Sequence, residues 1–198
     1  MHQHADQPED RAAHHGTSTP SGSHLDAALV ELAREGDQAA FEALIRVHQD
    51  RLYAIALRMT GHVQDAQDVL QDALLHAWQA LPRFRQDAAV LTWLIRIVVN
   101  GCHNLRRRPA PAPTQPHEQP TDQPTLEAVV EAKDRVGLVT AAIAELPFDQ
   151  RAALVLHTFD GRSQAQVAAL LGTTESAVKV RIHRARRALL NRLEEGSR

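Results

Sequence analysis

The sequence predicts an all-α protein: two small helical domains joined by a proline-rich linker. Three observations predict it. Apolar residues recur at three- and four-residue steps over several long segments, and no segment shows sustained period-two alternation with turn pairs. Aromatic residues make up only 4 % of the chain, so the core rests on Ala, Leu, Val and Ile, and Ala and Leu are strong helix formers. Between two periodic stretches lies PAPAPTQPHEQPTDQPT, residues 109–125, whose proline density fits an extended coil and not a helix interior. The 198 residues thus divide into two small domains on a tether instead of one mid-sized core.

Residues 1–24 are polar and rich in His, Gly, Pro and Ser, and they read as a disordered, solvated tail. His2, His4, His14, His15 and His24 lie there, but no metal-ligand set and no cofactor is assigned to them. From Leu25 the pattern turns helical. Leu25, Ala28, Leu29 and Leu32 mark the inner face of a short first helix closed at Gly36. Phe41, Leu44, Ile45, His48, Leu52, Ile55, Ala56 and Met59 give one face of a long helix stopped at Gly61. Ala66, Val69, Leu70, Ala73, Leu74, Ala77, Trp78 and Leu81 repeat the pattern until Pro82. After the loop RFRQDAA, a fourth helix is expected from about Val90 to Arg106, so the first domain covers roughly 25–108.

Beyond the linker, Val129, Val136, Val139, Ile143 and Leu146 define a helix that ends at Pro147. A second helix covers about Asp149–Thr158, and Asp160-Gly161 turns the chain. Ser163 with Gln166 three residues later is a capping-box signature for a short helix with Val167, Ala168 and Leu171 inward, closed by Gly172. Thr173 or Thr174 caps the last helix, which turns Val178, Ile182, Ala185, Leu189 and Leu193 inward. The second domain covers roughly 126–194.

The net charge of −2, taken whole, does not suggest a nucleic-acid binder. Divided by segment, it reverses. Residues 1–24 carry −2, 25–108 carry 0, 109–135 carry −3 and 136–198 carry +3. No Lys or Arg occurs between Arg58 and Arg83, whereas Asp65, Asp68 and Asp72 all fall there. At 100° per residue Asp65 and Asp72 lie within about 20° of each other and Asp68 about 60° away, flanked by Gln64, Gln67 and Gln71. That acidic-amide face is either a solvated surface or a docking site for a basic partner. Thr92, Arg96, Asn100, His103 and Arg107 form one polar stripe on an otherwise apolar helix that ends in Arg106-Arg107-Arg108. Cations at a helix C-terminus favour its dipole, yet Arg and Asn are also residue types that hold phosphates and read base edges. The last helix sets Lys179, Arg181, Arg184, Arg186, Arg187 and Arg192 against Glu175. A capped short helix, a Gly-Thr-Thr turn and a basic amphipathic helix make the helix-turn-helix layout, whose second helix enters the major groove.

Other function classes find little support. There is no Gly-rich phosphate loop, no HExxH and no convincing nucleophile constellation, so no catalytic residue is assigned. Cys102 is the only cysteine, which forbids an internal disulfide and suits a reducing cytoplasm. No apolar run approaches the length of a membrane span, and the N-terminus has no secretory signal.

Two sets of motifs resemble one family. AFEALIRVHQDRLYAIALRMTG, DAQDVLQDALLHAWQALPRF and TWLIRIVVNGCHNLRRR are similar to region 2 of bacterial extracytoplasmic-function sigma factors. AELPFDQRAALVLHTFDGRSQAQVAALLGTTESAVKVRIHRARRALL is similar to their region 4, in the expected order and with a linker between. The resemblance implies a factor that binds RNA polymerase core and directs promoter-specific initiation. By similarity, Asp65, Asp68, Gln71 and Asp72 dock on the clamp helices of the largest subunit. Region 4 partners the polymerase flap, and an anti-sigma factor is a further expected partner. By the same resemblance Arg85, Gln86, Asp87, Arg96, Asn100, Arg106, Arg107 and Arg108 read the −10 element. Ser176, Lys179, Val180, Arg181, His183, Arg184 and Arg187 read the −35 element. The linker, with a reach of roughly 50 Å, threads the polymerase cleft. Val180 stands where the family often has Ser, which exchanges a polar DNA contact for an apolar one. The alternative is an autonomous helix-turn-helix regulator whose first domain binds another protein; tight DNA binding without polymerase would distinguish it.

Overall fold

The computed structural model describes residues 20–105 and 139–195, so the linker, most of the expected tail and Arg106–Arg108 lie outside the described residues. Among the described residues the chain is helical, with no strand. The elements are α1 (Pro20–Arg34), α2 (Gln38–Thr60), α3 (Val63–Ala80), a 3-10 turn (Leu81–Arg83) and α4 (Val90–Leu105). After the linker come α5 (139–144), α6 (Phe148–Leu154) with a π-helical turn (Val155–Phe159), α7 (Gln164–Leu171) and α8 (Glu175–Glu195).

In the first unit α2 packs against α1, α3 and α4, and α3 against α4. Its eight expected inward residues are all buried, Leu44, Leu52 and Ala56 completely. Each fully buried Leu contributes roughly 1.5–3 kcal/mol. Asp37 caps α2 by accepting from the Ala40 N–H at 3.0 Å, and Gly61 ends it in the left-handed region at φ 83°. On α3, Ala66, Val69, Ala73 and Ala77 are buried, while Leu70, Leu74 and Trp78 are partly buried.

The first helix differs from expectation at both levels. It begins at Pro20, inside the stretch read as tail, because proline at the first helical position is pre-organised for the turn. Its inner face is Leu29, Val30 and Ala33; Leu25 and Leu32 stay 54 % and 48 % exposed. The rotation also brings Asp26 to His48, 3.1 Å away. An inward histidine thus gains a polar partner that apolar periodicity does not reveal.

In the second unit α6 and α7 both pack on α8. The capping box forms as expected: Ser163 Oγ accepts from the Gln166 N–H at 3.2 Å, and Gln166 Oε1 from the Ser163 N–H at 2.9 Å. Gly172 ends α7 at φ 61°, and Thr174, not Thr173, caps α8 by accepting from the Ala177 N–H at 3.2 Å. Leu170 is buried where Leu171 was expected, and Leu171 is only partly buried. The second helix was read as continuous to Thr158, but it loosens into a π turn in which the Asp160 N–H donates to Val155 O at 3.0 Å.

The two helical units also touch one another. Their buried residues form one continuous cluster. The joint is polar as well as apolar. Arg151, 8 % exposed, donates to Met59 O at the C-terminal end of α2, to Ala144 O, and to Leu146 O at 2.9 Å. The guanidinium satisfies carbonyls that two helix ends leave over, where a cation is also favoured by the dipole. Gly61 lies so close to Ala144 that a Cβ there would come within 2.3 Å of the alanine methyl.

Candidate nucleic-acid interface

The acidic-amide face of α3 is open to solvent. Gln64, Gln67, Asp68, Gln71 and Asp72 are exposed and Asp65 is partly so. Gln64 Nε2 donates to Asp68 Oδ1 at 3.0 Å one turn away. No Lys or Arg of α3 itself neutralises this face, so its charge remains available to a partner.

The loop between the 3-10 turn and α4 carries Arg85, Gln86 and Asp87, all exposed. Gln86 is at φ 58°, a left-handed conformation uncommon for a residue other than glycine. Its side-chain amide donates to Glu31 Oε1 on α1, which helps hold the loop in that shape. Phe84 and Trp93 stack at 4.7 Å beneath it, so Trp93 serves packing. On α4, Arg96, Asn100 and His103 are exposed while Leu94, Ile95, Val98, Val99 and Cys102 are buried, which gives a sharply two-faced helix.

That polar stripe is where the second unit sits. Arg162 Nη1 donates to Thr92 Oγ1 at 3.1 Å, and Arg96 Nη2 donates to Ala169 O at 3.1 Å. The rings of His103 and Phe148 lie 4.8 Å apart. Sequence reasoning found the stripe but missed these contacts, because the bonded partners are 73 and 70 residues away and leave no periodic mark.

On α8, Ser176, Lys179, Val180, His183, Arg184 and Arg187 are exposed, and Val180 is 47 % so. Arg181 is partly buried and forms an ion pair with Asp149 at 2.9 Å. All seven expected −35 residues thus lie on one helix whose inner face, Val178, Ile182 and Ala185, is buried.

Cys102 faces the core, and burial pushes its thiol up to about 12 although the charge of Arg151 pulls the other way. It points away from exposed His103, so the two form no nucleophile–base pair. Among the described residues no helix is long and apolar enough to cross a membrane.

Comparison with known proteins agrees with this geometry. Residues 44–110 match the Sigma-70 region 2 family and residues 137–189 match Sigma-70, region 4. The ECF RNA polymerase sigma factor SigM of Mycobacterium tuberculosis is 41 % identical over 83 % of this chain and 82 % of its own length. The ECF RNA polymerase sigma-E factor of Escherichia coli is 32 % identical over 85 % of this chain and 94 % of its own. Among solved structures, CnrH in complex with the cytosolic domain of CnrY matches with a TM-score of 0.66 and 30 % identity, covering 86 % of this chain and 98 % of that one. The sigma factor RpoE bound to the anti-sigma factor NepR from Bartonella quintana shares the fold, with a TM-score of 0.61 at 23 % identity over 78 % of this chain and 96 % of that one. The sigma-70 family is regulatory and non-enzymatic. An acidic helix, a two-faced helix and a basic helix-turn-helix in this order, on a chain matched over most of its length, make it a member of the extracytoplasmic-function sigma factors, which bind RNA polymerase and direct promoter-specific initiation of transcription.

Proposed function

We propose that region 2 docks on the clamp helices of the polymerase's largest subunit through Asp65, Asp68, Gln71 and Asp72. Region 4 faces the flap. The −10 element is read by Arg85, Gln86, Asp87, Arg96, Asn100 and the Arg106–Arg108 run, and the −35 element by Ser176, Lys179, Val180, Arg181, His183, Arg184 and Arg187. The observation that carries this reading is a separation of charge on exposed helix faces. The polar face of α3 holds acids and amides without a cation, while α8 exposes Lys179, Arg184, Arg186 and Arg187. One suits a basic protein surface, the other a polyanion. An anti-sigma factor would cover one of these two faces, and the chain would act in the cytoplasm beside its polymerase.

Core polymerase supplied with this chain is expected to make run-off transcripts from fragments of the source genome. No transcript from any fragment would overturn the reading. Asp72→Lys is expected to weaken core binding roughly tenfold by setting like charges against each other; unchanged binding would remove α3 from the polymerase interface.

A further inference from the structure

The loop that carries Arg85, Gln86 and Asp87 is fixed at both ends. Phe84, buried and stacked on Trp93 at 4.7 Å, holds one end, and Val90, buried at the start of α4, holds the other. Between them the backbone passes through Gln86 at φ 58°, a left-handed conformation that disfavours any residue with a Cβ. The contact that compensates comes from α1, where Glu31 Oε1 accepts from Gln86 Nε2. The same oxygen accepts from Arg34 Nη1 at 3.2 Å, which restricts the rotamers open to the carboxylate. The helix beneath is itself anchored. Val30 and Ala33 are buried, and Asp26 lies 3.1 Å from His48 on α2. Other long-range polar contacts serve the joint between the units: Arg51 pairs with Asp160 at 2.5 Å, and Asp160 also pairs with Arg162 at 2.7 Å. The Glu31–Gln86 contact lies within the first unit and serves the loop. It comes from a helix that precedes residues 44–110, the stretch matched to region 2.

We propose, resting on the −10 reading of Gln86 above, that Glu31 is a positioning residue for base recognition. It holds the Gln86 amide with its nitrogen inward and its oxygen outward, so that this position selects a base carrying an amino group. A carboxylate accepts hydrogen bonds and offers none. It therefore attracts the amide nitrogen and repels the amide oxygen. Without such a neighbour a side-chain amide can turn over, because its two ends have nearly the same shape and opposite hydrogen-bonding character. Gln86 is exposed, and among the described residues nothing donates to its Oε1. That oxygen is an acceptor in want of a donor. Adenine offers its N6 amino group and cytosine its N4 amino group, whereas guanine O6 and thymine O4 would meet it oxygen to oxygen. The preference is thus set by a side chain that need not touch the base. A carboxylate near a polyanion is unfavourable in itself, and its pairing with Arg34 offsets that charge.

A barcoded promoter pool, randomised through the −10 element and transcribed by core polymerase carrying the full chain, reads this as a base ratio. Gln86→Ala identifies the position concerned, as the one where the ratio becomes flat. There the wild type should favour adenine or cytosine over guanine or thymine roughly three- to tenfold, the value of one net hydrogen bond. Glu31→Ala should bring the ratio close to one. Glu31→Lys should invert it, because an ammonium donates to the amide oxygen and turns the nitrogen outward. Glu31→Gln, which can donate or accept, should fall between wild type and Glu31→Ala. The Glu31 side chain is 58 % exposed, so these substitutions leave the core intact. An added cation raises affinity for all templates alike, so the ratio decides and not the yield. A ratio unchanged in both Glu31→Ala and Glu31→Lys would overturn the positioning role, as would yields that fall equally on every template. A wild-type preference for guanine or thymine at that position would overturn it too. If Gln86→Ala flattens no position, the −10 reading of Gln86 fails and the proposal with it. If Gln86→Ala flattens one and the Glu31 variants do not, only the role of Glu31 fails.

Discussion

Gly61→Ala probes the joint at a single atom. Gly61 is held at φ 83°, where an L side chain costs about 1–2 kcal/mol. A methyl there would also fall 2.3 Å from the Ala144 Cβ, against an optimal carbon–carbon separation of about 3.5–4.0 Å. The end of α2 and the helix 139–144 must therefore part by more than an ångström, an overpacking that costs about 1–3 kcal/mol. The total, about 2–5 kcal/mol, is a large share of a small protein's stability. Ala144→Gly removes the obstructing methyl and by itself costs at most about 1 kcal/mol as a glycine in a helix. In that background Gly61→Ala should retain only its conformational cost, so a double-mutant cycle should return a coupling of about 1–3 kcal/mol. Urea denaturation of the full chain, followed by far-ultraviolet circular dichroism, measures all four corners. If Gly61→Ala costs the same with Ala or Gly at 144, the two elements do not touch in solution, and the packing of the units is refuted.

Other predictions test separate features. Cys102 is protonated in the fold to about pH 12 but ionises near its ordinary 9.0 once unfolded. The unfolded state therefore sheds a proton first, and this contribution to stability, complete below pH 9, falls as pH rises toward 12 by at most about 1.4 kcal/mol per unit. Cys102→Ala should flatten that slope in urea titrations, and a slope identical to wild type would rule out the thiol as its source. Ser163→Ala removes the hydroxyl half of the capping box and should cost about 1 kcal/mol, with faster amide exchange confined to the start of α7. Uniform exchange across region 4 would show that the cap is not a local device. Val180→Ser should leave stability within about 0.5 kcal/mol, because the side chain is 47 % exposed, while altering base preference within the −35 element in selection from random duplexes. An unchanged preference would take Val180 out of the readout.

What the sequence revealed follows the range of each interaction. The inner face of α2 was legible residue by residue because a 3.6-residue period repeats over 23 residues. The capping box was legible because both partners lie within one turn. The inner face of α1 was misassigned, since a short helix with apolar residues on several sides takes its orientation from what it docks against. Leu170 displaced Leu171 for the same reason on a helix of eight residues. The exposed cations of α8 were readable as a cluster, but the pairing of Arg181 with Asp149 was not. The joint left no trace at all. Arg51 and Asp160 are 109 residues apart, and Arg151 is bonded to backbone carbonyls, an acceptor every residue type supplies.

The π turn at Val155–Phe159 also restricts how this gene can tolerate length changes. Its widened ring accommodates one residue more than an α-helix would, so a single-codon deletion there would yield a regular, locally more favourable helix. That repair would turn everything downstream by about 100°. Asp160 would swing off the Arg51 guanidinium, carrying Arg162 with it, and the turn leading into α7 would leave in a new direction. A deletion that improves the helix is thus expected to damage the protein, whereas substitutions that keep the count should be borne at the exposed Thr158. At this point the fold depends on the number of residues more strictly than on their kind.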